Sequence, residues 1–228
     1  MNDDIRNIML TLDIDSHALK YALNTNTNLI ITHHPFLFSG IKSVDFNTYE
    51  GNIIKELITN GISLYSMHTS FDMADYGVSR KLSEKLNIKD YHVLHEVNSD
   101  LSGYGGIGTV EPLNIVEYAK MVKGQLNAVH VKLYCNDDKK LIKKVAFCGG
   151  SGSDFIDDAI QEKADVYITG DIKYHQAQTA LRNNLCIIDA GHYYTEYHAM
   201  EYVKEVLDKF VELNVTILEN NTVKEIII

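Results

Sequence analysis

What this chain lacks narrows its function before any motif is read. None of its 228 residues fall in an apolar run near eighteen long, the length a helix needs to cross a bilayer, so no membrane span is expected. The opening Met1-Asn2-Asp3-Asp4 has neither the basic flank nor the apolar segment of a secretory signal. Cysteine is scarce: Cys135, Cys148 and Cys186 are odd in number and form no CxxC. They fit reduced, mostly buried thiols rather than a disulfide framework or a zinc knuckle, and the cytoplasm is the expected location. Basic residues are outnumbered, 21 Lys and Arg against 31 Asp and Glu, for a formal charge of −10. No Lys/Arg cluster offers a face for phosphates, and the lysine pairs at 139–140 and 143–144 read as solvated loop charges. Nucleic acid is therefore not expected as a partner.

What is present is a hydrophobic fraction of 45%, enough for a real core, arranged in two alternating patterns. Short apolar runs at Ile5–Leu12, Asn28–Thr32, Ile62–Met67, Val145–Cys148, Asp165–Thr169 and Leu185–Asp189 are bounded by turn or polar residues, as buried strands are. Helical patterns lie between them at Ser16–Leu23, Gly51–Asn60, Ser79–Leu86, Asp154–Lys163 and Gln176–Asn183, with a long one from Glu196 to about Leu213. Strands alternating with helices predict an α/β fold with largely parallel pairing.

The chain also repeats itself. With a constant offset of 137 and no gap, Ile5–His34 lies over Ile142–Asp171, and Ile5/Ile142, Ser16/Ser153, Ala22/Ala159, Ile31/Ile168 and Thr32/Thr169 coincide. Each copy reads strand, turn, helix, strand and a polar elbow, and each is followed by a further strand ending in a histidine motif. The expected organisation is two similar βα halves, residues 1–94 and 142–228, forming mixed sheets as one packed unit. A small inserted strand-helix-strand segment at 95–141 separates them. Facing halves would gather four polar elbows at one cleft, since ligands in such sheets collect beyond the carboxyl ends of strands. The insert contains a literal GxGxxG at Gly103, Gly105 and Gly108, but TVEPLN follows where a dinucleotide fold needs a helix. Tight turns suffice to explain those glycines.

The elbows hold the chemistry. His33 and His34 follow NLIIT and precede Pro35. Neighbouring strand residues point to opposite faces, so they rarely serve one ion, but at a turning strand end two rings can splay toward two ions. Asp72, past another strand in HTSFD, can accept one cation per carboxylate oxygen. GHYYTE sets His192 and Glu196 four residues apart, on one face of a helix, with Tyr194 and Thr195 as polar neighbours and His198 expected to face solvent. Each also has a plain reading: surface histidines, a helix cap or turn at Asp72, an exposed pair starting an amphipathic helix. Together they make a nitrogen and oxygen set suited to Zn, Fe, Mn or Ni, with no Cys in it. An acidic surface does not bar a small anionic substrate from such a centre, where the ions supply positive charge.

Four segments in order, LIITHHPFLF, MHTSFD, ITGDIKYH and DAGHYYTE, closely resemble the GTP cyclohydrolase I type 2 homologues, also called Nif-three-like proteins, in their short form. The resemblance runs from about Ile5 to the C-terminus. It implies an α/β fold of two similar halves, a homo-hexameric ring, and two divalent ions held by His33, His34, Asp72, His192 and Glu196. It also implies a cleft lined by GDIKYH, with Asp171, His175 and His68 as candidates for substrate contact or proton transfer. The implied activity is hydrolysis of a nucleotide or related small molecule, the alternative being a non-enzymatic metal-binding, metal-delivery or scaffold role. Two features depart from the family. The chain starts past the usual first helix and the strand with a DNxGL-type motif; since a lost edge strand would expose unpaired backbone, the expectation is a misassigned start, a fragment, or an edge covered by another chain. Gly106 stands where many members carry Arg in a GxGR turn, so that Arg's role in anion binding is not expected here.

Overall fold

The computed structural model describes residues 4–97, 102–210 and 212–226. The chain divides into two compact units, Met1–Thr69 with Met200–Ile228, and Ser70–Ala199.

In the first unit the apolar run after Arg6 becomes β1 (Asn7–Thr11), buried from Ile8 onward. Asp15 ends the extended stretch and caps α1 (Ser16–Asn24), its Oδ1 accepting the Ala18 N–H at 2.7 Å. That bond satisfies a donor the first helical turn cannot satisfy itself. The chain turns back through Asn26 at φ +52° into β2 (Leu29–Thr32). The helix α2 (Tyr49–Thr59), capped by Thr48, then leads to β3 (Ser63–Ser66). Both strand pairs are parallel, and Met9 and Ile30 pack with Ala18, Leu19 and Ala22 of α1 and Ile53 and Leu57 of α2.

The second unit begins within α3 (Thr69–Asp72) and continues through α4 (Val78–Lys85), β4 (Lys89–His92) and the antiparallel pair β5 (His95–Glu96) and β6 (Gly103–Tyr104). Next come β7 (Gly106–Asn114), α5 (Ile115–Gln125), β8 (Lys132–Tyr134) and β9 (Leu141–Phe147). A 3-10 turn at Ser153–Phe155 runs into α6 (Ile156–Gln161), followed by β10 (Val166–Thr169), α7 (Tyr174–Arg182), β11 (Cys186–Asp189) and α8 (His192–Glu196). Six strands form one mixed sheet in the order β4-β7-β9-β10-β11-β8, in which β9, β10 and β11 are parallel. Alternate strand residues feed two cores, as the period of two requires. Val145, Phe147 and Ile168 pack with α4 and α5, while Ala146, Tyr167 and Ile187 pack with α6 and α7. The chain then re-enters the first unit through α9 (Ala199–Leu207) and β12 (Asn214–Ile217), which pairs in parallel with β1 and completes the order β12-β1-β2-β3.

The repeat survives in three dimensions at the same offset. Ile8 pairs with Leu29 and Val145 with Val166; Leu10 pairs with Ile31 and Phe147 with Ile168. The span of α1 maps onto the 3-10 turn plus α6, and Asn26 at φ +52° maps onto Lys163 at φ +56°. Even a side-chain role recurs, since Asn28 Oδ1 accepts from the N–H groups of Arg6 and Asn7, and Asp165 Oδ2 from those of Lys143 and Lys144.

Several expectations change. The unit boundaries differ from residues 94 and 141, because β7 and β8 of the expected insert are hydrogen-bonded to β9 and β11. The single long helix from Glu196 is instead α8 and α9, and it ends at Leu207. Thr195 Oγ1 bonds back to the carbonyls of Gly191 and His192, a local competitor to helix continuation. His198, expected in solvent, is buried at that break. Of the GxGxxG glycines, Gly105 takes a turn at φ +63°, whereas Gly103 and Gly108 lie inside β6 and β7, and no helix follows until Ile115.

Candidate metal ligands

In the first unit the ligand candidates stand at the ends of two adjacent parallel strands. Thr32 pairs with Ser66 in the β2–β3 register, so His34 and His68 come next on the same side of the sheet edge. The elbow is held by Thr32 Oγ1, 2.8 Å from both the His34 carbonyl and Ser66 Oγ, and by the His34 N–H donating to Leu12 O at 3.0 Å. The rings of His33, His34 and His68 gather with centroids 5.1–5.8 Å apart, Phe38 edging His68 at 5.9 Å. One nitrogen from each of the three lies within 4.8 Å of the others, close enough to share an ion.

The orientation of two of these rings is set through Nδ1. His33, wholly buried, bonds to the Met67 carbonyl at 3.0 Å, and His34 bonds to Asp13 Oδ1 at 2.8 Å. A carbonyl or carboxylate oxygen only accepts, so Nδ1 is the donor in each ring and Nε2 faces the opposite side. That is the arrangement a histidine ligating through Nε2 needs.

In the second unit, His192 opens α8 and Glu196 closes it, so the i, i+4 spacing puts them on one face as expected. His192 Nε2 and Glu196 Oε2 stand 3.1 Å apart, and His192 Nδ1 lies 2.7 Å from Asp171 Oδ2. Burial disfavours the charged ring, but the bonds and charges of Glu196 and then Asp171 outweigh it and raise the His192 pKa to about 9. The backbone is shaped to admit the carboxylate: Gly150 sits at φ +63°, and a Cβ there would overlap Glu196 Oε1 and stand 3.1 Å from His192 Nε2. The Gly150 N–H is taken by Thr195 Oγ1 at 2.9 Å. Buried Asp189, at the end of β11, joins the two loops involved, its oxygens accepting the N–H groups of Ile172 and Gly191 at 3.3 and 3.2 Å.

Asp72 is half-buried at the end of α3. Cys148 reports its surroundings: burial first, then the carboxylates of Asp72 and Glu196, push that thiol up to about 12. His175 is elsewhere in character, exposed on the first turn of α7 with its ring edge-on to Tyr174 at 5.3 Å.

These donors fit a divalent ion. Ligands about 2.0–2.1 Å from a tetrahedral zinc stand roughly 3.3 Å apart, close to the His192–Glu196 separation. The donor set is imidazole and carboxylate, and burial keeps Cys148 out of it as a neutral thiol. Divalent ions bound here would acidify a water and polarise a substrate oxygen or nitrogen.

The family model described as Duf34/NIF3 (NGG1p interacting factor 3) matches residues 1–224. The chain belongs to that family. Among similar proteins, the GTP cyclohydrolase 1 type 2 homolog of Streptococcus pneumoniae is 34% identical over 93% of this chain and 80% of its own length. The Helicobacter pylori protein named GTP cyclohydrolase 1 type 2 is 35% identical over 92% and 80%. A crystal structure of a Bacillus cereus protein related to NIF3 superposes with a TM-score of 0.90 at 21% identity, covering all of this chain and 91% of that one, which shows the shared fold.

Asp13, Asp189 and Gly150 were not singled out by the sequence. The glycine-rich stretch Gly149-Gly150-Ser151-Gly152 was a usable signal for close approach; the two aspartates carry none, because each reads equally well as a turn residue.

Proposed function

We propose that this Duf34/NIF3 chain binds two divalent ions through His33, His34, Asp72, His192 and Glu196, and that it is a metal-dependent hydrolase. The observation that carries the reading is the His192–Glu196 pair at 3.1 Å, built over a glycine whose missing side chain makes room for the carboxylate. Its substrate class is a nucleotide or related small molecule, taken from the relatives named for GTP cyclohydrolase activity. Of the proton carriers considered, His68 lies among the first unit's histidines, so it is the group proposed to move a proton at its ring nitrogen. His175, exposed on α7, would meet substrate from solvent. The proposed assembly is the family's ring of six, in the cytoplasm. Among the described residues no helix is long and apolar enough to cross a membrane.

The test is turnover by metal-loaded protein on GTP and a panel of nucleotides and phosphoesters, beside Asp72→Asn. Loss of turnover in a variant that keeps its circular dichroism and melting temperature supports the hydrolase. Equal turnover in that variant rules the mechanism out.

One observation favours a second reading, a metal-binding or metal-delivery protein or scaffold without catalysis. Asp171, one of the candidate proton carriers, is already engaged by His192 Nδ1 at 2.7 Å. Under that reading His175→Ala leaves both metal affinity and cellular function unchanged.

A further inference from the structure

The segment Leu12-Asp13-Ile14-Asp15 places two aspartates between β1 and α1, and they do different jobs. Asp15 is the helix cap, occupied by the Ala18 N–H and by Asn220 Nδ2 at 2.9 Å. Asp13 takes no part in the cap: its Oδ1 receives Nδ1 of His34, 21 positions along the chain. In the second unit Asp171 Oδ2 receives Nδ1 of His192, also 21 positions away, while its own backbone is held at φ +58°. Left-handed backbone is costly outside glycine, although aspartate tolerates it better than most residues. The turn thus carries strain where it aims this carboxylate.

The internal repeat makes the two arrangements comparable. At the offset of 137, His34 corresponds to Asp171 and Asp13 to Gly150. One copy carries a histidine at the elbow and an aspartate behind it. The other carries the aspartate at the elbow and an open glycine behind it, where Glu196 lies. The same strand-end frame is filled differently in the two copies, yet each time a carboxylate meets Nδ1 of a histidine.

On the reading that His34 and His192 are ion ligands, we propose that Asp13 and Asp171 are their positioning carboxylates, one in each unit. A carboxylate on Nδ1 holds the proton there, sets the plane of the ring and raises the basicity of Nε2. Asp171 is thereby assigned to the ligand and not to substrate or proton transfer. The side chains of Asp13 and His34 are 32% and 21% exposed, so water competes weakly for that bond.

The experiment titrates Zn²⁺ into metal-stripped full-length protein against a chelator, for wild type, Asp13→Ala, Asp171→Ala, His34→Ala and His192→Ala. Each aspartate variant is expected to bind about 10–100-fold more weakly than wild type. A second readout is the long-range ¹H–¹⁵N spectrum of the histidine rings at pH 8 without metal. There His34 should carry its proton on Nδ1 in wild type and on Nε2 in Asp13→Ala, a change that a merely structural aspartate would not produce. Asp13→Asn, which keeps an acceptor oxygen within reach, should restore the Nδ1–H form and most of the affinity. Should Asp13→Ala not fold, Asp13→Ser, too short to reach the ring, carries the same comparison. Unchanged affinity in the aspartate variants while His34→Ala and His192→Ala lose it would overturn this proposal and leave the ligand reading standing. Unchanged affinity in the histidine variants would instead overturn the ligand reading itself.

Discussion

His192 is held between two carboxylates, with Nδ1 2.7 Å from Asp171 and Nε2 3.1 Å from Glu196. The first bond aims the ring, and the second pairs it with a carboxylate at the spacing two ligands of one ion adopt. Four consequences can be measured.

Gly150→Ala should damage the second unit's donors without replacing either donor side chain. The new Cβ would overlap Glu196 Oε1 on a backbone already at φ +63°. Strain of this kind costs about 1–3 kcal/mol. A lower melting temperature together with at least tenfold weaker Zn²⁺ binding is expected; wild-type affinity would mean that Glu196 does not sit over this glycine.

Asp189→Ala should destabilise the fold through two loops at once. It strips the acceptor from the Ile172 and Gly191 N–H groups, and an unsatisfied buried donor costs about 1–3 kcal/mol. The Lys132 contact at 3.5 Å adds little, since that lysine is half exposed. Urea denaturation should show a loss of about 3 kcal/mol. A loss under 0.5 kcal/mol, within the usual scatter of surface substitutions, would show that the loops are held by other means.

Cys148 should resist alkylation. An acid whose pKa is raised stays neutral through neutral pH, so with the Cys148 pKa pushed up to about 12 its thiolate is nearly absent at pH 8. Iodoacetamide at pH 8 should label half-exposed Cys135 first and spare Cys148 until the protein is unfolded. Labelling of Cys148 at the rate of Cys135 would contradict its burial.

Tyr167→Phe should cost about 1–2 kcal/mol. The buried hydroxyl donates to the Gly152 carbonyl at 2.7 Å, and burial raises its pKa, so it remains a donor at any workable pH. A melting temperature equal to wild type would show that the carbonyl finds water instead.

The parts of this structure that were legible in the sequence are those that obey a period. Short apolar runs marked all three strands of each half, and the constant offset carried from Ile5/Ile142 through to the pairing of Ile8 with Leu29 and of Val145 with Val166. The i, i+4 spacing of His192 and Glu196 is likewise local, and the helix that realises it formed. What stayed hidden depends on partners distant in sequence. Asp13 reads as a turn residue until His34 folds back on it, and so does Asp189 until two loops dock on its oxygens. The break between α8 and α9 was invisible because the apolar pattern continues across it while Thr195 bonds backward. The membership of β7 and β8 in the six-stranded sheet was a matter of long-range pairing, which composition between 95 and 141 does not encode.

The central claim is that these donors bind divalent ions. The direct measurement is elemental mass spectrometry on untagged protein beside a His33→Ala/His192→Ala variant. The account predicts about two ions per wild-type chain, as a two-metal centre requires, and their loss in the variant. Wild-type protein that retains no metal after reconstitution with Zn, Mn, Fe and Ni would contradict it.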